Sequence, residues 1–123
     1  MTWKNEKRLH ELDAPLAVEH LVFEVQADAF ETWKAAEFEF WTKGLADRFP
    51  SFAGKETWVA KRDGIFKVTV VIYWTSVEEW HAIDPVWLEE HERRFAEVVG
   101  ADNVRLVSEG HTVDQYYKMS EYR

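Results

Sequence analysis

The stretch "VVIYWTSVEEWHAI", residues 70–83, decides the fold because a strand and a helix meet in it. Its first half is rich in β-branched and aromatic residues, which favour strands. Ser76 follows, with Glu79 three residues later, and this spacing is the capping-box signature of a helix start. The stretch therefore predicts a buried strand that passes directly into a helix.

The sequence on either side of this stretch predicts a second strand before it, and a second helix and another strand after it. Asp63-Gly64 predicts a tight turn between strands at residues 55–61 and 65–74, because glycine adopts positive φ at little cost. The helix that starts at residue 77 should end near residue 83. Asp84 and Pro85 then provide the N-cap and first residue of a second helix, which Gly100 ends after residue 99. A strand at residues 103–109 follows.

The first third of the chain predicts a strand and a long helix. In residues 17–25, Leu21, Phe23 and Val25 alternate onto one face of a strand. Asp28 then predicts an N-cap for a helix over residues 28–47. The apolar stripe of this helix carries one acid, and its members are Phe30, Trp33, Glu37, Trp41 and Leu45.

The resulting order, β-α-β-β-α-β, predicts an α+β protein with a ferredoxin-like arrangement: a four-stranded antiparallel sheet with both helices on one face. Residues 17–116 form the expected domain. Residues 1–16 are expected to be an N-terminal extension, with either a helical turn at residues 4–12 or a frayed end, and residues 117–123 a C-terminal tail.

Composition narrows the classes of function. The 123 residues carry a formal charge of −8 with acidic and basic residues interspersed, which argues against nucleic acid and against an anionic membrane surface. The chain has no cysteine, so thiolate chemistry and disulfides are excluded. No signal peptide or membrane-spanning stretch is visible, and a cytoplasmic location is expected.

The face of the sheet away from the helices is predicted to be half apolar. In the strand at residues 65–74 it carries Ile65, Val71 and Tyr73, and in the first strand it carries Val18 and Val22. Exposed apolar surface of this kind usually marks an interface. A homodimer with sheet packed on sheet is the main expectation, and cover by the chain's own termini is the alternative.

The segments "VEHLVFEV", "EFEFWTKGL", "FAGKETW", "VVIYWTSVEEWHAI" and "VSEGHTVDQY" together resemble a bacterial family of the dimeric α+β barrel superfamily. That superfamily includes antibiotic-biosynthesis-type monooxygenases, heme-degrading monooxygenases and stress-responsive barrel proteins. The resemblance spans residues 17–116. It implies a dimer with packed sheets and a small-molecule pocket between the sheet and the helices, and it implies no particular reaction.

Three functions remain open at this point. The first is binding of a small apolar or aromatic molecule, with cofactor-independent monooxygenation as the enzymatic form. The second is a non-catalytic stress-responsive or ligand-sensing role. The third is heme binding or degradation, for which His20 or another histidine would have to reach the iron. No cofactor is expected under the first two. No metal site is expected either, because no His-x-x-x-His or Glu-x-x-His pattern lies cleanly on one helix face.

Two residues are candidates for acid–base chemistry. Glu37 lies between Trp33 and Trp41 at helical spacing, and a carboxyl group among indoles would be desolvated, with a raised pKa. The alternative is that Glu37 turns to the edge of the stripe or accepts a bond from an indole. His20 is a candidate proton shuttle, or else a hydrogen-bonded histidine at the dimer interface.

Seven tryptophans in the chain suggest an aromatic-lined cavity, although packing alone is the commoner role of such residues. Tyr73 and His20 lie on the opposite face from Trp74, so a single site cannot use all three. The candidate ligand-binding residues are Trp33, Trp41, Trp58, Trp74, Trp80, Tyr73 and His81.

Overall fold

The computed structural model describes residues 7–123 as an α+β fold built on one antiparallel sheet. Four strands run in the order β2-β3-β1-β4, and β5 pairs with the free end of β1. The strands are β1 (Leu9–Gln26), β2 (Phe52–Ala60), β3 (Ile65–Trp74), β4 (Val104–Glu109) and β5 (Tyr117–Tyr122). The helices are α1 (Phe30–Ala36), α2 (Lys43–Arg48), α3 (Val77–His81) and α4 (Pro85–Val99).

The strand β1 is twice as long as the sequence pattern predicted. The predicted helical turn at residues 4–12 is wrong from Leu9 onward, and its first residues lie outside the described part of the chain. The predicted C-terminal tail is also wrong, because it forms β5. The two corrections have one cause: the ends of the chain pair with each other, from Leu9 opposite Tyr122 to Ala17 opposite Tyr117. Pairing satisfies backbone groups that would otherwise require helix or water.

The predicted long helix is present but is not a regular α-helix throughout. A 3₁₀ turn, Ala27–Ala29, precedes α1, and no side chain caps either element, so the predicted Asp28 cap is wrong. Between α1 and α2 the chain makes a π-helical segment, Glu37–Thr42. Such segments close i→i+5 hydrogen bonds and often occur at functional sites.

The strand–helix junction at residues 70–83 folds largely as predicted. β3 covers residues 65–74, and the Ser76 side chain accepts a hydrogen bond from the Glu79 backbone N–H at 3.0 Å. Glu79 does not complete the capping box, because its carboxylate accepts from the Ser51 backbone N–H. In α4, Asp84 caps the helix, Pro85 starts it and Gly100, with φ of 91°, ends it.

All the main helices pack on one face of the sheet. Cross-strand partners share a face, and β1 pairs with β3 with Leu21 opposite Val70 and Ala17 opposite Trp74. The side chains of this face form one buried cluster with Trp33, Leu45, Trp80, Phe95 and Val99 from the helices. The core therefore lies between the sheet and a helical layer. Within residues 7–123, no helix is both long enough and apolar enough to cross a membrane.

Candidate functional site

A cavity of about 950 Å³ lies between the helical layer and the sheet. Its floor comes from β1 and β3, and its roof comes from α1, the π-helical segment and α4. The lining residues that are exposed belong mainly to α4, to the turn after it and to β4, including Glu89, Glu92, Leu106 and Glu109. The cavity therefore opens to solvent between α4 and β4.

Four tryptophans line this cavity: Trp33, Trp41, Trp74 and Trp80. Trp33 and Trp74 are almost fully buried, at 2% and 1% exposure. The rings of Trp74 and Trp80 are stacked, with centroids 6.2 Å apart and planes 3° from parallel. Large, rigid aromatic groups of this kind make an apolar wall with little conformational freedom to lose on binding a ligand.

Glu19 is the carboxyl group at the floor of the cavity. It lies on β1 opposite Ile72, on the same face as the core residues. The indole N–H of Trp74 donates a hydrogen bond to its Oε1 at 3.0 Å. Burial raises the pKa of Glu19 to about 7; the Trp74 bond opposes this rise, as does the more distant Lys55, while Glu109 adds to it. Glu19 therefore exchanges a proton near neutral pH.

A second carboxyl group, Glu37, is held in an ion pair at the cavity wall. Lys55 donates to Glu37 and, at 2.7 Å, to the Thr42 hydroxyl, which also contacts Glu37. The π-helical segment makes this possible because it brings residues five apart in sequence together. The side chains of Lys55 and Glu37 are only 8% and 15% exposed. Burial lowers the pKa of Lys55 to about 8, and the negative charge of Glu19 opposes that effect.

The structure brings together five of the predicted site residues. Glu37, Trp33, Trp41, Trp74 and Trp80 line the cavity. Glu37 differs from the prediction in its surroundings, because its partners are Lys55 and Thr42 rather than indoles alone. The cavity thus contains the predicted aromatic group with an acid at its edge.

The other predicted site residues lie outside this cavity. His20 is on the opposite face of the sheet, where its backbone N–H donates to His111 Nδ1 at 3.2 Å. The Nδ1 of His20 is buried with no partner in the described part of the chain, and it faces Gly110 closely. His81 is exposed on α3, where its ring lies beside Trp80.

Trp58 and Tyr73 belong to the face of the sheet away from the helices. Trp58 pairs with Thr69, so it points away from the cavity, and it is 57% exposed. The Tyr73 hydroxyl donates to Glu56, and the ammonium of Lys118 lies 4.7 Å from the centre of its ring. Burial, with the acceptor Glu56 and its charge, raises the pKa of Tyr73 to about 12, so this phenol is neutral near pH 7.

Glu19 and Lys55 were not predicted from the sequence. Glu19 had a signal, because it shares the parity of Leu21, Phe23 and Val25 and is therefore a charged residue on a core face. Nothing in the sequence indicated Lys55, because apolar and polar residues do not alternate clearly in its strand. Trp58, the large apolar residue of this strand, suggests that its own face is buried, but the structure buries the face of Lys55.

Within residues 7–123, no group of three acidic or histidine side chains is arranged to hold a metal ion. Comparison with protein-family models and with curated proteins finds no match to this sequence. The cavity and its buried carboxyl groups Glu19 and Glu37 are therefore the basis for a functional assignment.

Proposed function

We propose that this protein binds a small apolar or aromatic molecule in the cavity between its sheet and helices. The observation that carries the proposal is the combination at one place of a 950 Å³ space, four tryptophans and a carboxyl group on the floor that has no ion-pair partner among residues 7–123. Ligand sites of proteins typically have this volume and this mixture of an apolar wall and a few polar groups.

Packing alone does not account for this arrangement. Protein interiors are close-packed, and an open space of this size forfeits dispersion contacts that a filled core would have. Glu19 also costs stability when it is ionised in such surroundings. A ligand that fills the space and bonds Glu19 supplies a reason for both features.

The proposed architecture is a ferredoxin-like protomer of a dimeric barrel. It is supported by the strand order β2-β3-β1-β4 with helices on one face, and by two exposed apolar groups on the other face, where the central Val22 and Val71 are already buried within the single chain. Trp58 and Ile65 on that face are 57% and 38% exposed. A second copy that covers these residues would form a two-fold dimer.

A second candidate is cofactor-independent oxygenation of the same ligand, favoured by the pKa of Glu19 near neutrality. Glu19 would take a proton from an acidic CH₂ group beside an electron-rich ring. The carbanion would then reduce O₂; one oxygen atom becomes a carbonyl at that carbon and the other leaves as water. Heme is less well supported, because His20 lies on the face away from the cavity.

Binding is tested by titration with N-phenyl-1-naphthylamine, a neutral aromatic probe, with energy transfer from tryptophan as the readout. We expect saturable binding to the native protein and weaker binding to Leu21→Trp, which places a bulky indole on the cavity floor. Leu9→Trp makes the same change on an exposed part of β1 and should bind normally. Equal binding by both variants, or none by the native protein, would refute the cavity as a ligand site.

Oxygenation is tested separately by O₂ uptake with an anthrone, which carries an acidic CH₂ group beside electron-rich rings. Uptake above the background rate that disappears in Glu19→Gln would support the enzyme. Binding without protein-dependent uptake would leave the non-catalytic role.

A further inference from the structure

The charges around the cavity are almost all negative. Five glutamates and one arginine are among its lining residues: Glu19, Glu37, Glu89, Glu92, Glu109 and Arg93. Three of these acids, Glu89, Glu92 and Glu109, lie at the open side, where α4 faces β4. A cleft lined by one sign of charge concentrates ligands of the opposite sign.

The nearby cations are already paired with other acids. Arg93 bonds Glu90 at 2.6 Å and also bonds Glu97, both outside the cavity lining. Lys55 is paired with Glu37 and bonded to Thr42. Among the described residues, Glu19 has only the neutral Trp74 indole as a hydrogen-bond donor. In the described part of the chain, the acid on the cavity floor therefore has no ion-pair partner in contact, and Lys55 acts on it only from a distance.

We propose that the ligand of this cavity is an organic cation, an ammonium group carried on an apolar or aromatic body. The ammonium would bond the Glu19 carboxylate, and the body would pack against the partly exposed lining residues Leu21, Phe23 and Trp41. This inference rests on the proposed function as a binding site.

Two physical effects favour a cation over other ligands. An ammonium that reaches Glu19 replaces the solvation that burial removes from the carboxylate, and it makes a charge-assisted hydrogen bond. Aromatic faces attract cations through their quadrupole, most strongly those of tryptophan. An anion of the same shape would instead meet Glu19, Glu92 and Glu109, and among residues 7–123 the nearby cations are already paired.

The test uses three compounds with one body and different charge: 2-(1-naphthyl)ethylamine, 2-(1-naphthyl)ethanol and 1-naphthaleneacetate. Their affinities are measured by calorimetry at pH 8 with the native protein, Glu19→Gln and Glu31→Gln. Glu31 is an exposed acid on α1 outside this cavity, so its variant has the same change in net charge and serves as the control.

We expect the amine to bind about tenfold tighter than the alcohol, with the acid weakest. The preference should disappear in Glu19→Gln and persist in Glu31→Gln. It should also weaken from pH 8 to pH 6, because burial raises the pKa of Glu19 to about 7 and protonation removes its charge. The other charged groups facing the site are Glu109 from β4, Lys55 from β2, Glu37 from the π-helical segment, and Glu89, Glu92 and Arg93 from α4.

The outcomes separate this inference from the proposed function. Equal affinity for amine and alcohol, or tighter binding of the acid, would overturn the inference while the cavity remained a ligand site. An amine preference that survives in Glu19→Gln would overturn it as well. No binding of these compounds or of N-phenyl-1-naphthylamine would overturn both.

Discussion

At the scale of single residues, the feature that distinguishes this protein is a carboxyl group placed where the strand pattern calls for an apolar side chain. Glu19 continues the face of Leu21 and Phe23, yet it opens onto the cavity and bonds only an indole N–H in the described structure. Isolated buried acids are costly, so a fold keeps one at a measurable loss of stability.

Glu19→Gln is expected to stabilise the protein in a pH-dependent manner. With a folded pKa of about 7 and an ordinary value of 4.5, Glu19 binds more proton in the folded chain between those values. Stability therefore falls as pH rises through this window, and the loss is complete above pH 7. The variant should gain about 2 kcal/mol relative to the native protein between pH 5 and pH 8.

Urea unfolding at both pH values measures this gain. Glu11→Gln, a change at an exposed acid on the same strand, is the control and should show little pH-dependent gain. A Glu19→Gln variant whose stability relative to the native protein does not change with pH would contradict the desolvated state of Glu19.

Lys55→Met is expected to destabilise the fold because it leaves Glu37 without its cation at the cavity wall. Breaking a buried pair on one side costs about 3 kcal/mol, whereas replacing both partners costs less. The double variant Lys55→Met/Glu37→Met should therefore be more stable than Lys55→Met. Thermal or urea unfolding of the four proteins in this cycle checks the coupling, and additive effects would argue against the pair.

At the scale of elements, the π-helical segment is hydrogen-bonded to α4. His91 Nε2 donates to the Phe40 carbonyl oxygen, and the His91 ring stacks on Trp87 with centroids 4.5 Å apart. This bond gives a hydrogen-bond donor to a backbone carbonyl in the irregular segment. The same segment places Glu37 beside Thr42, so the helix irregularity and the ion pair at the cavity depend on each other.

Gly44→Ala is expected to disturb this contact. A Cβ at Gly44 would lie 2.9 Å from His91 Nε2, and the ring is held by Phe40 and Trp87. Overpacking should outweigh the better helix propensity of alanine, for a net loss of about 1 kcal/mol. At Gly54 the nearest atom would be 3.8 Å away, so Gly54→Ala is the matched control for thermal unfolding. Equal melting temperatures for the two variants would contradict this packing.

The elements also show which parts of the structure a single sequence can predict. The bounds of β3 and α4 were predicted because their signals are local: Asp63-Gly64, Asp84-Pro85 and Gly100 each act on their own backbone. The pairing of β1 with β5 was missed because it joins residues about 100 positions apart, and neither segment carries a local sequence signal for the other. The inward face of β2 was missed because Lys55 lies on the buried face and Trp58 on the exposed one. Lysine is usually exposed and tryptophan usually buried, so the sequence suggests the reverse.

At the scale of the whole molecule, the exposed apolar part of the sheet face away from the helices is expected to pack on a second copy. Sedimentation velocity at micromolar concentration should give twice the 14.6 kDa mass of one chain. Charges at the exposed apolar positions, as in Trp58→Asp/Ile65→Asp, should convert the dimer to a monomer.

Val86→Asp places a charge at another exposed apolar residue, on α4, and should leave the dimer intact. Monomeric native protein would contradict the proposed assembly, although each protomer contains its own cavity.

The central claim is that the space above Glu19 is a ligand site, and the most direct measurement is a crystal structure grown with N-phenyl-1-naphthylamine. We expect the probe between the helices and the sheet, in contact with Leu21 and Trp41 and within reach of Glu19. A structure in which the helices close over the sheet and the probe is bound elsewhere would contradict the claim.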